Sequence, residues 1–429
     1  MGIALWISFL ACMAIGMPLA FVMGGSGLIA LLVEGKLSLL SVPQRFFNGI
    51  NSFPLMAVPF FILAADLMSA GGITSYILRF INNLVGHIRG GLGHVNILTN
   101  MVFAGISGSA LADAAGPGAI LMRMMQRAGY DPYYSAAFSA ATATIGPIIP
   151  PSIIMIIYAI SDSRVTVAGL FMAGVVPGIL LGGALAVTNH IISVRHGYRF
   201  ASKKASWAVR LRSFWKALPA LMMPVIIIGG ILSGMFTATE SAAVAVVYAL
   251  FVGLFITRTL NFRLITKVLL QSGIVSSAAL LIVAMASLFS WLLTILQIPQ
   301  TIALAIGHMT TSPMVVMWLV SIFVLICGTF IDVLPAVIIL VPVLAPLTDQ
   351  FGINPLYFAM TIVLNLTIGL ITPPVGGVLF VITSISRLKF ELISRAILPM
   401  LLAEIVVLAL IIQFPALSVT LPGWLGFTH

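Results

Sequence analysis

Two glycine-proline breaks interrupt apolar stretches of this sequence, one in each half of the chain. The first reads Gly146-Pro-Ile-Ile-Pro-Pro151 and the second reads Gly369-Leu-Ile-Thr-Pro-Pro374, so the glycine and the final two prolines match. Unwinding a helix at such a break leaves carbonyl oxygens without helical partners, and proline removes an N–H group that would have bonded one of them. Such carbonyls with a nearby hydroxyl form a hard-oxygen cage that suits Na⁺. Because the break occurs twice, the sequence predicts two cation sites related by a pseudo-twofold axis.

A short polar segment, Ser107-Gly108-Ser109, precedes the first break and is interpreted as the tip of a hairpin. The N–H groups at the start of the following half-helix are donors for an anion, which the helix dipole also favours there. No Lys or Arg lies inside any predicted span or hairpin arm, so hydroxyl, amide and backbone N–H groups must hold an anionic substrate. The candidate substrate-binding residues are Ser109, Ala110, Thr144 and Asn365.

Five carboxylates lie in apolar segments, where ionisable residues are costly and often functional. Asp113 and Asp332 follow the two predicted hairpin tips. We interpret both as candidates for capping a half-helix or for assisting cation binding and coupling, and for Asp332 the functional and capping roles are equally supported. For Asp66, Glu240 and Glu404 a structural partner is the favoured interpretation.

The composition is that of an integral membrane protein. The 429 residues are 61% hydrophobic and 7% charged, with a mean hydropathy of +1.20, whereas a soluble domain carries about a quarter charged residues. The net charge of +10 comes from basic residues in short loops, which indicates membrane topology rather than nucleic-acid binding. There is no Walker A motif, the histidines lack the spacing of metal ligands, and no catalytic residues or cofactor are predicted.

The elements that must position these residues form an all-α polytopic protein with inverted repeats. We predict a first repeat (1–194), a basic cytoplasmic connector (195–216) and a second repeat (217–429). Two segments, about 92–128 and 313–348, are predicted as re-entrant hairpins, because small or polar residues cut each near its middle. The predicted spans are 3–33, 53–71, 131–161, 169–194, 217–235, 238–257, 271–296, 354–386 and 396–415.

The positive-inside rule sets the orientation. With a cytoplasmic N-terminus and His429 outside, 17 of the 20 basic residues are cytoplasmic, and only Lys36, Arg45 and Arg164 lie outside. The two hairpins then open to opposite faces of the membrane and meet near its midplane. The sequence therefore predicts one central site that is reached from either side in turn.

Several motifs resemble the large membrane subunit of the tripartite ATP-independent periplasmic (TRAP) transporters, over essentially the whole chain. This resemblance implies a bacterial inner-membrane permease that takes up a small organic acid by a Na⁺-driven elevator mechanism. It also implies two partners: a periplasmic substrate-binding protein and a small four-helix membrane subunit, which we expect to be a separate chain here. The motifs are Pro59-Phe-Phe-Ile-Leu63, Gly71-Gly72, Gly105-Ile-Ser-Gly-Ser109, Gly146-Pro-Ile-Ile-Pro-Pro-Ser152, Gly234-Met-Phe-Thr-Ala-Thr-Glu240 and Leu364-Asn-Leu-Thr-Ile-Gly-Leu-Ile-Thr-Pro-Pro374.

The resemblance also assigns the sodium ligands, residue by residue, largely through backbone oxygens. One implied site consists of Ser107, Gly146, Ile149 and Pro150. The other consists of Gly328, Gly369, Thr372 and Val375.

Two other classes of function are weighed against the TRAP permease. A stand-alone Na⁺/dicarboxylate symporter or antiporter would share the hairpins and breaks but need no binding protein. A membrane-bound enzyme or an ion-pumping respiratory subunit would need intramembrane His or Cys ligands or a charged relay, and the sequence offers only five scattered carboxylates.

Overall fold

The computed structural model describes residues 1–35, 37–198 and 204–427, and the elements in these ranges are helical. Four residues that the topological prediction used, namely Lys36, Arg199, Lys203 and His429, lie outside the described residues. The all-α fold class that the sequence predicts is confirmed.

The first half of the chain contains eleven α-helices within the described residues. A 3₁₀ turn (Phe53–Met56) precedes the fourth, and a π-helical segment (Ala114–Gly118) separates the seventh and eighth. The helices are α1 (Gly2–Ala14), α2 (Leu19–Glu34), α3 (Ser41–Ile50), α4 (Ala57–Ala70), α5 (Ile73–Val85), α6 (Gly91–Ser107), α7 (Ala110–Asp113), α8 (Ala119–Arg127), α9 (Pro132–Ala143), α10 (Ile153–Ser161) and α11 (Val167–Arg195).

The second half, up to residue 427, contains twelve. By length and composition, six helical segments of the described chain could each cross a membrane, or seven if the bent pair at 390–413 is one span. The helices are α12 (Trp207–Leu232), α13 (Ala238–Phe251, continued by a π segment), α14 (Phe262–Ile295), α15 (Ile298–Met309), α16 (Pro313–Phe330), α17 (Val333–Leu344), α18 (Leu347–Phe351), α19 (Pro355–Gly369), α20 (Gly377–Ser386), α21 (Phe390–Ala396), α22 (Leu398–Gln413) and α23 (Ala416–Trp424).

The repeat visible in the sequence is also a repeat of structure. The end of α6 is separated from the end of α16 by the same length of chain that separates the start of α9 from the start of α19. Both α9 and α19 begin with proline after a capping side chain, Asp131 or Asn354, which accepts hydrogen bonds from first-turn N–H groups. Such caps satisfy donors that have no partner within the helix.

Both predicted re-entrant hairpins are present, and each enters and leaves on one side. In the first (α6–α8), Asn189 Nδ2 donates to the carbonyl of Gly90 at 3.0 Å, and Asn189 Oδ1 accepts from the Tyr134 hydroxyl at 2.9 Å. Asn189 therefore joins the entry of the hairpin to the segment that follows its exit. In the second (α16–α18), Pro313 and Gly352 at the two ends line one surface cavity of about 180 Å³.

The two predicted broken spans are also confirmed. The first consists of α9 and α10 with the break at 144–152 between them, and the second of α19 and α20 with the break at 370–376. In both breaks the two prolines are joined by a cis peptide bond.

The predicted single span over 3–33 is wrong. The chain turns back at Gly16, whose φ of +80° lies in the left-handed region, and α2 then packs against α1. The N-terminal amine lies 3.2 Å from the Glu34 carboxylate, so the two ends of the segment meet on one side. The physical reason is the sequence Gly16-Met-Pro18, which combines a left-handed turn with a residue that ends helices.

The fold-back moves the expected position of the N-terminus to the other face of the membrane. Residue 1 lies on the same side as residue 34, which the charge distribution places outside. The distribution itself is unaffected, because residues 1–35 contain no Lys or Arg. The pair α1–α2 thus corresponds to the pair α12–α13 that opens the second half.

The helices pack in two groups. Helices α1–α4 pack with α12–α14, whereas the hairpins and broken spans pack with α11 and α22. The main contact between the two groups is that of α14 with α17. The chain passes from the first group to the second through the short helices α5 and α15. The predicted connector is partly helical, since α12 begins at Trp207.

Candidate functional site

In each half of the molecule, the helix after the break packs against the hairpin of the other half. Helix α10, which follows the first break, packs against α17 of the second hairpin. Helix α20, which follows the second break, packs against α7 and the π segment of the first hairpin. Both hairpin tips and both breaks therefore meet at the centre.

A small central cavity lies at this meeting point. Its volume is about 60 Å³, and its lining includes Ser109 at the first tip, Asp332 at the second tip, Pro147 in the first break and Leu370 in the second. Among its lining residues there is one carboxylate, Asp332, and no basic side chain. The complete lining is Gly108, Ser109, Ala110, Leu111, Pro147, Ile153, Ile154, Asp332, Val333, Leu334 and Leu370.

Ser109 and Asp332 hold equivalent places in the two repeats, at the starts of the inner half-helices. Ser109 Oγ accepts from the N–H of Ala112 at 3.5 Å, and Asp332 Oδ1 accepts from the N–H of Val333 at 2.9 Å. Each side chain therefore caps a helix and also faces the central cavity. Asp332 therefore has the capping role that the sequence suggested, and it also lines the cavity.

Asp113 lies beside the first break and does not cap a helix. Its buried carboxylate accepts from the Ser107 hydroxyl through Oδ1, whereas Oδ2 has no hydrogen-bond partner among the described residues. That Oδ2 occupies the space into which a Cβ on residue 146 would project, which explains why Gly146 is glycine. A bound cation would interact favourably with this unpaired buried carboxylate oxygen and with the neighbouring carbonyls that lack hydrogen-bond partners.

The first break contains backbone carbonyls without hydrogen-bond partners in the described chain, as the sequence predicted. Within the described residues, no backbone N–H group bonds to the carbonyl oxygens of Gly146, Ile149 and Pro150. The tip of the first hairpin packs directly on this break, since a Cβ on Gly108 would lie 2.6 Å from the carbonyl of Pro151. The structure thus brings Ser107 and the break together.

The second break has the same construction. The backbones of Gly328 and Gly369 touch, since a Cβ on Gly369 would lie 2.6 Å from the Gly328 carbonyl oxygen. In the described part of the chain the carbonyls of Gly328, Thr372 and Val375 accept no backbone hydrogen bond, whereas that of Gly369 accepts from the N–H of Thr372 at 3.0 Å. The Thr372 hydroxyl donates to the carbonyl of Ile368 at 2.8 Å, which leaves its lone pairs free.

Thr144 and Asn365 do not line the central cavity. The Thr144 hydroxyl lies 2.9 Å from Oε1 of Glu404 in α22, in a fully buried contact between the two halves. Asn365 Nδ2 donates to Ser321 Oγ and to the carbonyl of Thr361, both at 3.0 Å. In this conformation both residues form packing contacts behind the site.

The structural partners expected for the other carboxylates are present. Asp66 accepts from the Ser272 hydroxyl at 2.6 Å, and Glu404 is bonded to Thr144. Glu240 and Thr237 form a reciprocal capping box at the start of α13.

Two polar features of the structure were not predicted. Asn96 and Asn100 of α6 form a buried network with Ser139 and Thr142 of α9, with bonds of 2.8 to 3.0 Å. The available signal was the spacing of the two asparagines, which places them on one face of a helix. The other feature is Arg164, which bonds both Asp162 and Asp349.

A protein-family model matches residues 6–417, and it is described as the tripartite ATP-independent periplasmic transporter, DctM component. This chain belongs to that family. It is therefore the permease component of a TRAP transporter and a multi-pass protein of the bacterial inner membrane.

Curated relatives match the TRAP permease over almost its full length. The C4-dicarboxylate TRAP transporter large permease protein DctM of Pseudomonas aeruginosa is 40% identical, over 95% of each chain. The sialic acid TRAP transporter large permease protein SiaM of Vibrio cholerae is 38% identical, over 96% of each chain. The isethionate TRAP transporter permease protein DctMQ of Oleidesulfovibrio alaskensis is 35% identical over 97% of this chain, which covers 65% of that longer protein.

A crystal structure shares the fold of the TRAP permease. The YdaH transporter of Alcanivorax borkumensis superposes with a TM-score of 0.61 at 15% sequence identity, and the match covers 90% of this chain and 88% of that one. The similarity of architecture therefore extends well beyond similarity of sequence.

Proposed function

We propose that this TRAP permease carries a small organic acid into the cell, driven by Na⁺, by an elevator mechanism. The observation that carries the proposal is the central cavity, where both hairpin tips and both breaks meet. It offers the hydroxyl of Ser109 and the N–H groups beside Ala110 as donors for a carboxylate. Relatives named for sialic acid, C4-dicarboxylates and 2,3-diketo-L-gulonate support an organic acid as the substrate class.

The cavity also supports a mechanism in which parts of the protein move. A volume of about 60 Å³ is far below the roughly 300 Å³ or more of ordinary small-molecule sites. The hairpins must therefore separate to admit an organic acid. The division of the helices into two groups, joined through α5 and α15, provides a boundary along which one group can slide past the other.

Two sodium sites couple this movement to the Na⁺ gradient in the proposal. The first uses the unpaired carbonyls at Gly146, Ile149 and Pro150 together with Ser107 and Asp113. The second uses Gly328, Gly369, Thr372 and Val375. Because each break packs against a hairpin tip, a bound cation would hold the tip closed over the substrate.

The partners proposed for the chain are a small membrane subunit and a periplasmic substrate-binding protein. The family description names a tripartite, periplasmic system. The relative named DctMQ is a longer protein, of which this chain matches 65%. A permease that takes its substrate from a soluble protein can select it there, which fits a cavity with few specific groups of its own.

Reconstitution in liposomes tests this function. The chain is co-reconstituted with a small subunit and a periplasmic binding protein of the same transporter, and uptake of a radiolabelled ligand of that binding protein is followed. Uptake is expected only with an inward Na⁺ gradient and only when the binding protein is present. Equal uptake in K⁺ buffer would overturn the sodium coupling, and full uptake by this chain alone would favour the stand-alone symporter.

A further inference from the structure

A groove between α5 and α12 lies apart from the transport site. One part of it, of about 280 Å³, is lined by Tyr76, Arg79, Arg212 and Lys216, together with Asn82, Asn83, Val209 and Ser213. The adjoining part, of about 320 Å³, shares Tyr76 and Lys216 with the first. The two parts therefore form one continuous groove.

The chemistry of the groove changes along its length. Three basic side chains, those of Arg79, Arg212 and Lys216, line one part. The other part is lined mainly by apolar groups, among them Ile73, Pro219, Ala220 and Ile256, and by Trp215. Pro219 and Ala220 follow Lys216 by one helical turn of α12, in the direction of its apolar stretch. The groove thus joins a cationic end to an apolar end.

The cationic end has no anion of its own. Arg79, Arg212 and Lys216 are exposed, and none of them forms an ion pair with any of the ten acidic residues, all of which lie in the described part of the chain. No acidic residue lines either part of the groove. Three unpaired like charges side by side favour a bound anion.

The groove also lies at the level where the membrane-water boundary is expected. Helix α5 is amphipathic and buries Ile73, Ile77, Leu78 and Ile81, while Arg79 is exposed. On α12, Trp215 is 62% exposed and lies next to Lys216, the last basic residue of the helix, and Trp207 at the start of the helix is 75% exposed. Exposed tryptophans beside basic residues at the cytoplasmic end of a span mark the interfacial zone of the bilayer.

We propose that this groove binds an anionic phospholipid of the cytoplasmic leaflet. Its phosphate lies between Arg79, Arg212 and Lys216, and an acyl chain lies along Pro219, Ala220 and Ile256. The amphipathic shape selects a lipid over a free anion, because a free phosphate would leave the apolar end without contacts. Basic pockets between helices at the cytoplasmic side are suited to lipid headgroups. A lipid bound here contacts α5, through which the chain passes between the two groups of helices.

Lipid titration of the purified full-length chain in detergent tests the proposal. Phosphatidylglycerol is added at increasing concentration and the unfolding temperature is recorded, since a ligand of the folded state raises it. The triple variant Arg79→Gln/Arg212→Gln/Lys216→Gln is expected to need at least about tenfold more phosphatidylglycerol for the same shift. Phosphatidylcholine with the same acyl chains is expected to give a much smaller shift with the unsubstituted protein.

A matched control removes the same charges elsewhere. The variant Arg123→Gln/Arg127→Gln/Lys389→Gln loses two exposed arginines and one exposed lysine on the same face of the membrane, and it should respond like the unsubstituted protein. An equal loss of response in both triple variants would overturn the site, as would no loss in either. Stabilisation by inorganic phosphate alone, to the same extent as by phosphatidylglycerol, would show a site for free anions and overturn the lipid proposal. If the first variant does not fold, native mass spectrometry of Arg212→Gln, counting bound phosphatidylglycerol against the single control Arg127→Gln, decides the question.

Discussion

Arg164 Nη1 lies 2.7 Å from Asp349 Oδ2 and joins the loop after the first broken span to the exit of the second hairpin. The same guanidinium bonds Asp162 at 2.7 Å through Nε. Burial alone would lower the pKa of Arg164, but the bonds and charges of Asp162 and Asp349 outweigh burial and raise it. Arg164 therefore stays protonated, and its ion pair with Asp349 connects the two halves of the molecule.

The two carboxylates beside Arg164 are expected to differ in how much they contribute to the stability of the protein. The Asp349 side chain is 69% exposed, whereas that of Asp162 is 4% exposed. Asp349→Asn should therefore cost about 0–1 kcal/mol of unfolding free energy. Arg164→Gln should cost about 1–3 kcal/mol, because it leaves a buried carboxylate without its partner. Thermal unfolding in detergent measures both, and a larger loss for Asp349→Asn would contradict this account.

Thr372→Val tests the proposed second sodium site. The substitution keeps the shape of the side chain and removes its oxygen, so the loss of one ligand should cost about 1–3 kcal/mol. The Na⁺ concentration for half-maximal uptake should rise by about ten- to a hundredfold. The control is Thr188→Val in α11, because its hydroxyl also donates to the carbonyl four residues earlier, at 2.9 Å against 2.8 Å for Thr372. An unchanged Na⁺ requirement in Thr372→Val removes this hydroxyl from the site.

Gly146→Ala tests the contact between the first break and Asp113. The new methyl group would collide with the carboxylate and approach the carbonyl of Ala143 to 3.2 Å. Overpacking of this kind costs about 1–3 kcal/mol, and we expect lower unfolding temperature and lower Na⁺-driven uptake. Gly183→Ala in α11 is the control, since its Cβ would meet nothing within 4 Å. Equal behaviour of the two variants would show that the contact is unimportant.

Cysteine labelling tests the orientation of the N-terminus. In a Cys12→Ser/Cys327→Ser background, Gly2→Cys and Ser38→Cys should react with an impermeant maleimide in intact spheroplasts. Ser206→Cys should react only after permeabilisation, because it lies in the basic connector. Protection of Gly2→Cys together with labelling of Ser38→Cys would restore the single span over 3–33.

The sequence predicted the hairpins and broken spans better than the N-terminal helices. The hairpins and broken spans were recognised because Gly and Pro interrupt them at matched positions. The turn at Gly16 lacked such support, since no charged residue flanks it and residues 1–33 are apolar enough to span. Comparison with the second half would have indicated this turn, because α12 and α13 pack against each other as α1 and α2 do.

The site could be predicted only to the level of the segments involved. Ser109 and Asp332 reach the cavity because a helix start fixes where the capping side chain lies. Thr144 directly follows the last residue of α9 and Asn365 lies in α19, and both helices are buried on nearly all sides. A helix that is apolar all round carries no periodic pattern that tells which face meets the cavity. The sequence therefore placed both residues near the site without showing that they face other helices.

The small volume between the hairpin tips also determines whether the resting protein lets water and ions leak across the membrane. A space of about 60 Å³ has room for only a few water molecules. We expect that so small a space holds no continuous file of water across the membrane, and that it therefore excludes hydrated ions. On this geometry we expect that a cell can keep many copies of this permease in an energised membrane without dissipating the Na⁺ gradient that is proposed to drive it.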